Sequence, residues 1–228
     1  YKVDLEMEVI LYTIIGVNLG LISLYTVSNL SNIFTKEDEL KNLDMLKITL
    51  ISSKEIVWGK VRAGIRVVNR LVLLSFMVNV WFLLPIFNHS GRYGRWDYSD
   101  SVYAIFAGHG TLWVCGILCV QIAAFSSAMC KKTTTAVVSA YALTAMIYVG
   151  NWIFLMVLTD GQIDEETFLF FSPLFGFYAI PEIPLYKNDP YFFWALHSLL
   201  YCGISFLLYQ MTAARYIANR YNQTNHEG

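Results

Sequence analysis

The sequence predicts an all-α, polytopic membrane protein, and three observations carry that prediction. Hydrophobic residues make up 56% of its 228 residues and charged residues only 14%, where a soluble domain carries about 25% charged residues. Mean hydropathy is +0.48. Several apolar runs are long enough to cross a hydrocarbon core of roughly 30 Å, which takes about 20 helical residues. A soluble helix bundle would need polar outer faces, and this chain has few to offer.

Five spans follow in order within a single transmembrane domain covering residues 1–228. The first is expected at Val9 to Leu30. It contains Gly16 and Gly20, a G-x-x-x-G pair that lets helices approach closely, either within the chain or against a second copy. The second is expected at Val67 to Phe87, with Pro85 near its end. The third covers Val102 to Met129, the fourth Ala136 to Leu158, and the fifth Tyr191 to Met211. The apolar run Phe168 to Ile180 is too short to span. Pro173, Pro181, Pro184 and Pro190 interrupt its surroundings. Residues 165–190 therefore read as a re-entrant or interfacial segment on the outer face, or as a loop packed on the bundle.

Basic residues set the orientation. Lys36, Lys41, Lys47, Lys54, Lys60, Arg62, Arg66 and Arg70 fall in the segment from Ser31 to Arg70, which leads into the second span. Lys131 and Lys132 follow the third span, and Arg215 and Arg220 lie in the tail. These 12 of the 16 basic residues share one side. That side is expected to be cytoplasmic, with the C-terminus inside. An odd number of spans starting outside implies a further span upstream of Tyr1. The net charge of −1 gives no reason to expect a nucleic-acid partner. Cys115, Cys119, Cys130 and Cys202 lie in or beside apolar spans and make no disulfide framework.

The segment 31–66 is unusual because it is charged yet patterned. Leu40, Leu43, Leu46 and Leu50 recur at helical spacing, and Glu37, Asp38, Glu39, Lys41, Asp44 and Lys47 fill the other faces. Ser52 and Glu55 match the S-x-x-E capping box. One helix should end near Leu50, and a second should start at Ser52 or Ser53 and run through Gly59 and Gly64 into the second span. This is either a protruding cytoplasmic elbow or a helix lying on lipid headgroups. The three acids argue for a protein partner, because an anionic inner leaflet repels them.

Among polar residues in or beside the spans, Asn18, Asn69, Asn79, Gln121 and Asn151 read mainly as interhelical glue, with a polar pathway as the minor reading. His109 reads as structural rather than as a proton or metal site. Cys115 and Cys119 share a helix face, but no third soft ligand lies nearby in sequence, so packing is the expected role.

"NLDMLKITLISSKEIVWGK" resembles the first cytoplasmic loop of ATP-binding cassette (ABC) transporter permeases of the type-2 exporter class. The matching positions are Glu37 and Glu39, Asn42-Leu43-Asp44, Leu46, Thr49, Ser52, Glu55-Ile56 and Gly59-Lys60. Leu50 stands where the family commonly has proline, and Asn42 where it has threonine. "CKKTTTAVVSAYAL" resembles the family's short inner loop leading into its fifth span, and "FFSPLFGFYAI" its segment before the last span. The resemblance implies a six-span fold in the cytoplasmic (inner) membrane, with both ends inside. It implies that Lys36 to Leu50 docks on an ABC ATP-binding subunit, with Glu37, Asp38, Glu39, Leu43, Asp44, Leu46 and Lys47 in contact. Thr49, Ser52, Glu55, Gly59 and Lys60 would form the turn and cap. A second permease subunit, identical or similar, would complete an export path.

No phosphate-cradling G-x-x-x-x-G-K-[ST] motif occurs in the chain. The expectation is a transport subunit that is not itself an enzyme, with ATP and Mg on the partner and no cofactor of its own. The competing readings are an ion-coupled secondary transporter and a membrane-embedded enzyme. Both usually need ionisable groups at membrane depth, and no Asp, Glu, Lys or Arg falls well inside a span.

Overall fold

The computed structural model describes residues 2–36, 52–90, 98–150, 153, 157 and 190–224. Among these the chain is helical, with a helix at each expected span. They are α1 (Lys2–Leu30), α2 (Ser53–Ser90), α3 (Tyr98–Met129), α4 (Thr133–Ala145) and α5 (Pro190–Thr224). α4 runs directly into a π-helical turn, Met146–Gly150. Pro85 does not end α2, which continues five residues beyond it.

Among the described residues, three stretches are long and apolar enough to cross a membrane: Thr13–Leu30, Ser53–Trp81 and Ile105–Met129. By length and composition this is a helical membrane protein. The second stretch carries Lys54, Glu55, Lys60, Arg62, Arg66 and Arg70, so its hydrocarbon-embedded part begins near Leu71. At 1.5 Å per residue, α2 is about 57 Å long and projects well beyond a 30 Å core.

α3 is the hub and packs against each of the other four described helices. Of its apolar stretch 78% is buried, against 33% in α1 and 28% in α2. The core joins Ile15, Leu19 and Ile22 of α1 to Val61 and Val68 of α2 around Leu112, Cys115 and Val120 of α3. A second cluster packs Val27, Leu118, Cys119 and Ile122 against Ala140 and Tyr201.

Close approach is provided by glycines other than the G-x-x-x-G pair. A Cβ on Gly64 would meet Leu30 Cδ1 at 2.7 Å, one on Gly108 would meet Ile15 Cδ1 at 2.8 Å, and one on Gly116 would meet Val68 Cγ1 at 2.5 Å. Gly16 and Gly20 are exposed, with nothing within 4 Å of such a Cβ. Of the two roles expected for that pair, packing inside the chain is not seen among the described residues.

Candidate functional site: the roots of the charged segment

Glu37, Asp38, Glu39, Leu43, Asp44, Leu46, Lys47 and Thr49, expected to meet an ATP-binding subunit or form its adjoining turn, lie outside the described residues, as do Asn151 and residues 165–189. The two ends from which that charged segment grows are described, and both are tied down.

At the downstream end the capping box forms. Ser52 N–H donates to Glu55 Oε2 at 2.9 Å, Ser52 Oγ donates to the same oxygen at 2.8 Å, and Glu55 N–H donates to Ser52 Oγ at 3.3 Å. The Ser52 carbonyl accepts the first helical bond, from Ile56 N–H at 3.1 Å. α2 thus starts at a fixed residue, because side chains satisfy donors that a helix start leaves open. The Ser52 hydroxyl, then its N–H, hold the exposed Glu55 carboxyl below its ordinary pKa. The contribution of the Glu55 carboxylate to the box is therefore present at neutral pH and is lost as pH falls through that lowered pKa, while the Glu55 N–H bond to Ser52 Oγ does not titrate.

Ser52→Ala should remove about 1 kcal/mol of local helix stability. The expected readout is faster amide exchange over residues 53–57, with Ser52→Thr close to wild type. Unchanged exchange in the alanine variant would show that tertiary contacts, not the box, hold the start of α2.

At the upstream end, residues 31–34 form a turn after α1. Ser127 Oγ of α3 accepts from Phe34 N–H at 2.8 Å and from Thr35 N–H at 3.2 Å. Lys60 Nζ of α2 donates to the Ile33 carbonyl at 3.0 Å and lies 4.5 Å from the Phe34 ring centroid. Phe34 also packs on Tyr216 of α5, with ring centroids 5.2 Å apart. Thr133, at the start of α4, donates to Thr35 Oγ1 at 3.3 Å. The root left by α1 therefore touches each of the other described helices. Lys60 and Gly59 sit in the second turn of α2 and not in the turn before it. Lys60 serves as a strut between the two roots, and Gly59 is exposed with open space around it.

Deeper in the bundle the amides bridge helices. Asn18 Nδ2 donates to Ser75 Oγ at 2.9 Å, joining α1 to α2. Asn79 Nδ2 lies 3.0 Å from His109 Nε2, joining α2 to α3. His109 Nδ1 lies 2.7 Å from the Ile105 carbonyl. A carbonyl can only accept, so the proton sits on Nδ1 and Nε2 accepts from Asn79. Trp113 Nε1 donates to Asn69 Oδ1 at 2.6 Å. Gln121 Oε1 is buried with no partner among the described residues.

Cys115 and Cys119 are buried, and neither is in a disulfide. Cys119 Sγ lies 3.4 Å from the Tyr148 hydroxyl, which lies 3.1 Å from Ser23 Oγ. Tyr148 belongs to the π-helical turn. No group of three or more His, Cys, Asp or Glu side chains is placed to hold a metal ion among the described residues.

Sequence reasoning missed Ser127 and the strut role of Lys60. Neither carries a local signal, because their partners lie 92 and 27 residues away. No family model matches this chain, and no curated protein matches it.

Proposed function

We propose that this chain is the transmembrane permease subunit of an ATP-driven ABC exporter. It would act in the cytoplasmic membrane beside a second permease subunit and a separate ATP-binding subunit. Three motifs in family order support the reading, together with charge placement that puts the 31–66 segment inside. The observation that carries it is the anchoring of both roots of that segment. An ATPase that closes on ATP must push on something that does not yield locally. Here a push on residues 37–51 enters α2 through a capped helix start and enters the other four described helices through Phe34 and Thr35. α2 then runs unbroken into the hydrocarbon, so the push becomes a displacement of a spanning helix.

The test is copurification with a candidate ATP-binding subunit from the same gene neighbourhood, followed by stimulated ATP hydrolysis. Glu37→Lys, Asp38→Lys and Glu39→Lys together are expected to abolish both. Deletion of residues 36–50 is expected to do the same. Docking and stimulation that survive both changes would remove the coupling role from this segment.

A further inference from the structure

We propose that Arg62, Arg66 and Arg70 form a binding stripe for the phosphate groups of anionic phospholipids on one face of α2. The proposal requires only that α2 crosses a bilayer, and it is independent of any transport reaction.

The three arginines recur every four residues. At 100° per residue they fall within roughly an 80° sector of the helix. All three are exposed, and none has an ion pair or side-chain hydrogen bond among the described residues. The same sector continues into the apolar part of α2. Leu73, Met77 and Trp81 interleave with the arginines in angle, and they are 57%, 59% and 73% exposed. Large apolar side chains so exposed on a spanning helix face lipid. The arginines are the continuation of that lipid-facing surface past the end of the hydrocarbon.

Geometry places Arg70 and Arg66 at headgroup depth and Arg62 one turn further out, at the surface of the headgroup layer. The arginine Cα atoms are spread over about 12 Å of helix rise, and the apolar part starts one residue after Arg70. Helical side chains lean toward the helix N-terminus. For α2 that direction points out of the hydrocarbon, so Arg70 and Arg66 carry their guanidinium groups back toward the surface as their stems lie along apolar chains. Trp58, one turn beyond Arg62, is exposed and sits edge-on to Tyr209 at 5.9 Å. A phosphodiester offers the paired oxygens that a guanidinium fork binds bidentately. A zwitterionic lipid adds a choline cation, which this stripe has no acid to receive among its own residues. Anionic lipid is therefore the occupant with matching charge.

The experiment is native mass spectrometry of the purified chain with added phosphatidylglycerol or phosphatidylcholine, paired with thermal unfolding followed by tryptophan fluorescence. Phosphatidylglycerol should be retained preferentially and should raise the unfolding temperature. Arg62→Gln, Arg66→Gln and Arg70→Gln together should lower its affinity at least roughly tenfold and cancel the shift, leaving the lipid-free unfolding temperature unchanged. The triple lysine variant keeps charge but loses the fork, and it should fall between. Inorganic phosphate at millimolar concentration should not displace the lipid. Equal retention of the two lipids by the wild type, or undiminished retention by the glutamine variant, would overturn the proposal. So would displacement by inorganic phosphate, which would mark a small-anion site. Undiminished lipid with lost copurification of an ATP-binding subunit would assign the stripe to a protein partner instead.

Discussion

Replacing Gly116 with leucine is expected to destabilise the bundle by about 3 kcal/mol or more. Helices in a bilayer gain little from the hydrophobic effect against one another, so their association rests on close packing and hydrogen bonds. At Gly116 that packing leaves no room for any side chain. A Cβ there would stand 2.5 Å from Val68 Cγ1, 3.4 Å from its Cγ2 and 3.5 Å from Ile22 Cγ2. Val68 is fully buried and branched at Cβ, so it cannot swing aside cheaply. Alanine at 116 should already cost about 1–3 kcal/mol. Val68→Ala removes both facing carbons, so the double variant Gly116→Ala/Val68→Ala should recover part of that loss as a positive coupling. Gly16→Leu and Gly20→Leu serve as controls, because a Cβ at either position would have no neighbour within 4 Å among the described residues, and both should change monomer stability little. Unfolding of the purified protein in a denaturing detergent, compared across these variants, is the measurement. A tolerated leucine at 116 together with damage at 16 would invert the packing picture.

That contrast shows what the sequence could and could not reveal. The G-x-x-x-G spacing says that two small residues share a face, but it carries no information on whether that face points inward. On α1 it points outward, whereas Gly64, Gly108, Gly110 and Gly116, which belong to no G-x-x-x-G pair, are the glycines in close contact among the described residues. Helix existence was legible because it depends on apolar run length, a property of consecutive residues. The Ser52–Glu55 box was legible for a similar reason, since donor and acceptor are three residues apart and meet whenever a helix starts there. Asn18, Asn69 and Asn79 could be read as bridges between helices, yet their partners Ser75, Trp113 and His109 could not be named. Which polar residues meet across helices is fixed by helix rotation, and rotation is fixed by packing around α3. The clearest case is the root at Phe34 and Thr35, where a lone serine 92 residues away on α3 completes two backbone groups.

Ser127→Ala should therefore cost far more than its size suggests. The change removes one oxygen, but that oxygen accepts from two backbone N–H groups, at 2.8 Å and 3.2 Å. Phe34 and Thr35 are both buried, so water cannot replace the lost acceptor without opening the root. Leaving buried donors unpaired costs about 1–3 kcal/mol. The neighbouring residue supplies the control. Ser126 Oγ is equally buried but has no partner among the described residues, so Ser126→Ala should stay within about 0.5 kcal/mol of wild type. The two alanine variants differ by one position along the same helix and remove the same atom type, so a difference between them isolates the two hydrogen bonds. If the proposed function is right, Ser127→Ala should still copurify with the ATP-binding subunit, because the docking segment is intact, yet show weaker stimulated hydrolysis, because the push would now be absorbed at a loosened root. Equal stability of the two variants would mean that Lys60 and the Phe34–Tyr216 contact hold the root without Ser127. Full stimulation despite lost stability would separate the anchoring of this segment from any role in coupling.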